Sequence, residues 1–165
     1  MNKCKFSDCR KYRYALIHTW DDGLFAQELK ILPWIGLNPS TADEFHLDNT
    51  LKRVKTLSGK WGYTGFAMLN LFAYRSTKPK DMKAAPDLIG PENDAILRDW
   101  ASRSPQIVAA WGKDGKHQGR VHVVCSILKA AGTNLYCIKE NEDGSPFHPL
   151  YAKNDSTLKA WTPKG

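Results

Sequence analysis

Long apolar runs are missing from this 165-residue sequence. The longest, "QIVAAWG" and "GFAMLNLFAY", stop well short of the roughly 18 residues that a membrane-spanning helix needs. No apolar signal-peptide segment follows the charged amino terminus. Acidic charge is scarce too, with 17 Asp and Glu against 24 Lys and Arg and a formal net charge of +7. Cysteine occurs four times, at Cys4, Cys9, Cys125 and Cys137, without the paired spacing of a zinc or iron–sulfur site. Cys125 falls on the apolar stripe of a predicted helix and Cys137 inside a predicted strand, where buried free thiols are common. No metal, no cofactor and no disulfide are therefore expected, and the chain reads as soluble, cytoplasmic and monomeric, with no membrane partner. Its 42% hydrophobic content suffices for one core, a single domain over residues 1–165.

What is present is basic charge interleaved with aromatic rings, in "CRKYRYALIHTW" and "NTLKRVKTLSGKWGY". That pattern is the footprint of a surface for a polyanion, and DNA, double- or single-stranded, is the expected partner.

Strand and helix patterns alternate along the chain. "KYRYALIHTW" predicts an amino-terminal strand or hairpin with "DDG" as a turn, and "ILPWIGLN" a buried core strand with an irregular entry at Pro33. "NTLKRVKTLSGKWG" carries Leu51, Val54, Leu57 and Trp61 at helical spacing, with Asp48 or Asn49 as N-cap. "GFAMLNLFAY", "QIVAAWG" and "NLYCIK" predict three further strands. "PENDAILRDWASRS" and "KHQGRVHVVCSILKAAG" supply helices between them, the first opened by Pro91 and the second closed by Gly132. The expected fold is α/β: a three-layer α/β/α sandwich around a mostly parallel four-stranded sheet, with the amino-terminal strand or hairpin added. In such sheets ligands collect at the carboxyl ends of the strands. Those ends carry Asn38-Pro39-Ser40, Asn70-Leu71-Phe72, Trp111-Gly112 and, after the fourth strand, His148.

These four ends, in this order, resemble the uracil-DNA glycosylase superfamily. "GLNPS" is similar to the Gly-x-Asn-Pro loop of its mismatch-specific members, "MLNLFAYR" supplies the asparagine that reads a flipped pyrimidine, "VAAWG" ends the third strand, and "FHPLY" gives the His-Pro loop. Nearly the whole chain also resembles a bacterial and phage family of small proteins sharing GLNPSTAD, NLFAYR, WG and HPLY. The resemblance implies a monofunctional DNA glycosylase with a uracil-DNA glycosylase-like fold. Asn38 and His148 would be catalytic, joined by Asp43 from the same loop as Glu44 and Asp48. Gly36, Leu37, Pro39, Ser40, Asn70 and Phe72 would bind substrate, with Phe45 or Tyr74 as other stacking candidates. Arg75, Lys78 and Lys80 would hold phosphates, while Pro149, Leu150 and Tyr151 would form a wedge into the base stack.

The chemistry suits the residue types. Cleavage of an N-glycosidic bond leaves negative charge on the departing base, which needs a donor, and requires a positioned water at the sugar. His148 fits the first role; Asn38 can hold the water but cannot take its proton, so a loop carboxylate becomes relevant. Uracil-specific relatives carry a tyrosine after the loop proline that blocks the pyrimidine 5-position, whereas Ser40 is small. The implied substrate is a 5-substituted pyrimidine, such as hydroxymethylated or glucosylated cytosine of phage DNA, or a mismatched or damaged base. Two other classes fit the same residues: a hydrolase or transferase of a free modified nucleotide, and a non-catalytic nucleic-acid-binding module. Each residue also has a structural use: Asn38 in capping its own turn, Asn70 in satisfying a neighbouring loop, and His148 in a surface turn.

Overall fold

Side-chain alternation along two buried strands sets the layers of this protein, whose computed structural model describes residues 2–20 and 28–164. The predicted "DDG" turn lies outside the described residues. Strands β1 (Asn2–Phe6) and β2 (Arg13–Thr19) form an antiparallel hairpin, followed by β3 (Ile31–Gly36). Helix α1 (Asn49–Lys60) leads to β4 (Gly65–Asn70), then to the short α2 (Pro79–Lys83) and to α3 (Asn93–Ser102). Strand β5 (Gln106–Ala109), α4 (Arg120–Ala130), β6 (Asn134–Cys137) and β7 (Lys159–Ala160) complete the order.

The strands form one seven-stranded sheet in the order β1-β2-β4-β3-β5-β6-β7. Its four inner members β4, β3, β5 and β6 are mutually parallel, as alternating strands and helices require. The sheet is wider than the expected four strands because β1, β2 and β7 extend it by antiparallel pairing. Edge strands announce themselves poorly: β1 alternates the exposed Lys3 and Lys5 with the half-buried Cys4 and Phe6, and β7 has only two residues. Pro33 lies within β3 rather than at its entry, and pairing with β5 begins only at Trp34, so its missing N–H interrupts no ladder on that side.

Leu32 and Trp34 of β3, with Phe66 and Met68 of β4, face α1; Ile35, Ala67 and Leu69 face the opposite way, toward Leu97 and Trp100 of α3 and Val124 and Leu128 of α4. Helix α1 is started by the Asp48 carboxylate, which accepts from Leu51 N–H at 2.9 Å. It is seated by Leu51, Val54 and Leu57, and by a buried hydrogen bond from Trp34 Nε1 to Ser58 Oγ at 3.0 Å. Helix α1 and the α3–α4 pair therefore cover opposite faces. Because the chain leaves β3 toward one face and β5 toward the other, a crevice opens at their carboxyl ends.

Leu57 is fully buried between α1 and the sheet. Leu57→Ala is expected to lower unfolding free energy by about 2–5 kcal/mol in urea melts. A change below about 0.5 kcal/mol would show that α1 does not pack as described.

Candidate functional site

At that crevice lies a cavity of about 470 Å³, whose lining includes Gly36, Leu37, Asn38, Ser40, Asn70 and His148. These six sequence-predicted residues, from the ends of β3 and β4 and from the loop that follows β6, thus share one space. Gly36 lies close under the cavity floor: a Cβ there would come within 2.6 Å of Met68 Cε, which would have to swing aside, and would touch Asn70 Oδ1 at 3.7 Å.

Asn38 joins two loops. Its Nδ2 donates to the carbonyls of Pro39 at 3.1 Å, Tyr74 at 3.3 Å and Ser76 at 2.9 Å. Three carbonyls around one nitrogen fix the amide orientation, because the oxygen could not sit among them. Oδ1 has no hydrogen bond to the described residues and is left as an acceptor at the cavity. Ser40 Oγ donates to Asp48 Oδ2 at 2.9 Å, while Asp48 Oδ1 caps α1. The capping residue of α1 is therefore also a cavity carboxylate.

Asn70 ends β4, is 1% exposed, and donates from Nδ2 to the Arg13 carbonyl at a long 3.4 Å. Its main-chain carbonyl is held by Asn93 Nδ2 at 3.0 Å, which fixes the strand end from the α3 side. Asn70 Oδ1 has no hydrogen bond to the described residues, so the side chain can offer both an acceptor and, with a small shift, a donor to one edge of a planar ligand.

His148 caps a single 3₁₀ turn, and its Nδ1 accepts from Leu150 N–H at 3.2 Å. When the ring is neutral its proton therefore sits on Nε2, which can donate. Burial pushes the imidazole below its ordinary value, and the Asp48 charge opposes this only in part. Gly112, at φ +69°, brings the chain after β5 beside this ring; a Cβ there would be 3.8 Å from His148 Cβ. Trp111 lines the same wall, packed edge-on against Trp161.

Other expected residues fall elsewhere. Asp43 lies outside the cavity: its Oδ1 accepts from Phe45 and His46 N–H at 2.9 Å each, bonds that hold its carboxyl below the usual range. Glu44 pairs with Arg10 at 3.3 Å, so Asp48 is the one of the three loop acids at the cavity. Phe72 is fully buried in the core and does not reach the cavity, because the chain turns after Asn70 and drives the ring toward His117. Pro39 is buried beneath the loop, and its carbonyl accepts from Asn38 and from Ser76 N–H. Arg75 stacks over Phe6 and donates to the Arg10 carbonyl at 3.3 Å, a structural tie that takes it out of the set of freely extended cations. Lys78 and Lys80 are exposed next to Thr77 and Pro79 of the cavity rim. Pro149 is buried, Leu150 is 38% exposed, and Tyr151, 72% exposed, also lines the rim. Phe45 is exposed in its loop and Tyr74 packs edge-on against Tyr12.

Sequence reasoning missed the polar residues Arg13, Thr50, Ser76, Thr77, Lys113 and Asp114 at the cavity. For Arg13 a signal existed, a charged residue opening the apolar strand "RYALI". Among the described residues no cluster of His, Cys, Asp and Glu could hold a metal ion, and no helix is long and apolar enough to cross a membrane.

Fold and site together define an α/β protein with a polar cavity at the carboxyl ends of its parallel strands. Over residues 13–150 the chain matches a family described as "Protein of unknown function (DUF1643)", and it belongs to that family. No curated protein and no solved structure matches it.

The His148 ring should titrate below its ordinary 6.5, since burial favours the neutral form. With a depressed folded value, its contribution to stability is complete above the ordinary value and is lost as pH falls through the depressed one. Nitrogen-15 NMR of the imidazole is expected to show the Nε2–H form at pH 7 and a midpoint below 6.5. A midpoint at or above that value, or an Nδ1–H ring, would contradict the assigned geometry.

Proposed function

We propose that this protein is a monofunctional DNA glycosylase of the uracil-DNA glycosylase-like α/β/α type, which hydrolyses the N-glycosidic bond of a flipped pyrimidine. The observation that carries the reading is the convergence on one cavity of Asn38 and Asn70, from two strand ends, and His148, from the loop after β6. A base swung out of a duplex fits a cavity of about 470 Å³ lined by amide, imidazole and hydroxyl groups.

Asn70 reads the Watson–Crick edge. His148 donates from Nε2 to a base carbonyl on which negative charge develops as the C1′–N bond breaks and its electron pair leaves with the base. A water held on Asn38 Oδ1 forms the new bond to C1′. Its proton passes first to Asp48, the cavity carboxylate left without a cationic partner while Asp114 pairs with Lys83 at 2.7 Å, and ends on the released base, so no co-reactant is consumed. Both Asp48 oxygens already accept one hydrogen bond, which positions the group but leaves lone pairs for the water.

Ser40 supports a base substituted at its 5-position, because the position after the loop proline holds a small side chain at the cavity. A hydroxymethylated or glucosylated cytosine of phage DNA is the substrate class proposed, with a mismatched or damaged pyrimidine as the simpler case. Lys78, Lys80 and Tyr151 at the rim suit phosphate contacts and a wedge that compensates for unstacking.

The test is incubation with duplex and single-stranded oligonucleotides bearing a panel of natural and phage-type bases, scored for alkali-labile abasic sites. Wild type should create them at a 5-substituted pyrimidine, and His148→Ala should slow base release by about 10²–10³-fold while the protein remains folded. No abasic site on any base would overturn the reading.

Two Ser40 variants separate space from hydrogen bonding. Ser40→Tyr should abolish turnover of a 5-substituted base and spare a plain pyrimidine, whereas Ser40→Ala, which loses the Asp48 contact but keeps the space, should act on both. Equal losses in both variants and on both bases would assign Ser40 to holding the loop.

A further inference from the structure

Two arginines of this protein are almost completely buried, each 2% exposed, and they are treated very differently. Arg120 donates from Nε to the Leu71 carbonyl at 2.8 Å and from Nη2 to the Asp94 carboxylate. Its charge and its donors are met within the protein. Arg13 has one protein partner among the described residues, the Ala42 carbonyl, which takes Nη1. Its Nε is sealed from solvent without a partner. Its Nη2 makes no hydrogen bond to the described residues and is not among the sealed atoms, which leaves it open to the cavity that Arg13 lines.

Among the described residues no carboxylate pairs with this guanidinium. The acids whose charge reaches it, Asp48 and Asp43, take their hydrogen bonds elsewhere, from Ser40 Oγ and Leu51 N–H and from two backbone N–H groups. Arg75 adds positive charge nearby, and the Cys4 thiol, pushed up to about 11 by burial, stays neutral. Burial pulls the guanidinium down to about 10, which still leaves it charged at neutral pH. An unpaired buried cation is strongly unfavourable unless something completes it, and Nη2 is the nitrogen of this guanidinium that an anionic oxygen in the cavity can reach.

We infer that the cavity is built for a ligand carrying an anionic oxygen group, a carboxylate or a phosphate, which pairs with Arg13 beside the amide of Asn70. The inference deepens the proposed reading of this cavity as a base site and rests on it for the identity of the ligand as a nucleotide. The anion then has two sources. It is either an acidic substituent on the base or the phosphate of the nucleotide.

Thermal unfolding of the full chain at matched ionic strength distinguishes them. The additions are sodium chloride, inorganic phosphate, acetate, deoxycytidine, 5-carboxydeoxycytidine and deoxycytidine monophosphate. Phosphate or acetate should raise the wild-type midpoint above chloride, and one anionic nucleoside should bind about tenfold or more tighter than deoxycytidine. Preference for 5-carboxydeoxycytidine places the anion on the base; preference for the monophosphate places it on the phosphate. Arg13→Met should remove the preference and Arg13→Lys should keep part of it.

If Arg13→Met does not fold, the Arg13 Nε–H resonance of the unaltered protein, followed during a phosphate titration, carries the same information and should shift. The inference is overturned if no anion exceeds chloride in wild type, if folded Arg13→Met keeps the preference, or if that resonance does not move. A response to free anions with no response to any nucleoside would sink the base-site reading and leave the anion site standing.

Discussion

The side-chain nitrogen of Asn38 sits among three backbone carbonyls, and the arrangement of the site depends on that contact. It ties the loop after β3 to the loop after β4, so two strand ends are held as one wall. It also decides chemistry, because a nitrogen committed to carbonyls leaves the amide oxygen for the cavity. An asparagine is required here in a way that an aspartate cannot satisfy: a carboxylate would face three acceptors. Asp48 repeats this economy of means on the other side of the loop, starting α1 with one oxygen and holding Ser40 with the other.

Much of this was legible in the sequence because periodicity reports burial. The runs through Trp34, Met68 and Val108 alternate between two apolar clusters, and the Leu51, Val54 and Leu57 spacing gives α1 with its Asp48 cap. Asn38, Ser40, Asn70 and His148 were found by a rule of position, the carboxyl ends of strands, and the fold brings all four to one cavity. Position alone failed where a side chain's direction mattered. Phe72 follows Asn70 by two residues yet turns into the core, and Asp43 bonds its own loop while Asp48, five residues on, reaches the cavity. Nothing in an irregular loop carries a period from which such directions could be read.

Arg13 illustrates a different blindness. In sequence it belongs to a basic, aromatic amino-terminal stretch that reads as a surface for a polyanion, and the antiparallel extension of the sheet buries it. Strand β2 runs opposite to β4, so its first residue lies at the carboxyl end of the parallel strands, where the site is. A strand outside the parallel core therefore contributes a buried charge to the cavity. Arg75 shows the converse: a cation expected at the surface is engaged with Phe6 and the Arg10 carbonyl.

The chemistry assigned to the cavity is most directly examined by identifying what leaves the DNA. Mass spectrometry of the small-molecule fraction, after incubation with duplex carrying one 5-substituted pyrimidine, should find the intact free base together with a continuous strand bearing an abasic site. Release of a nucleoside or nucleotide, or an unaltered substrate, would contradict hydrolysis of the N-glycosidic bond at this site.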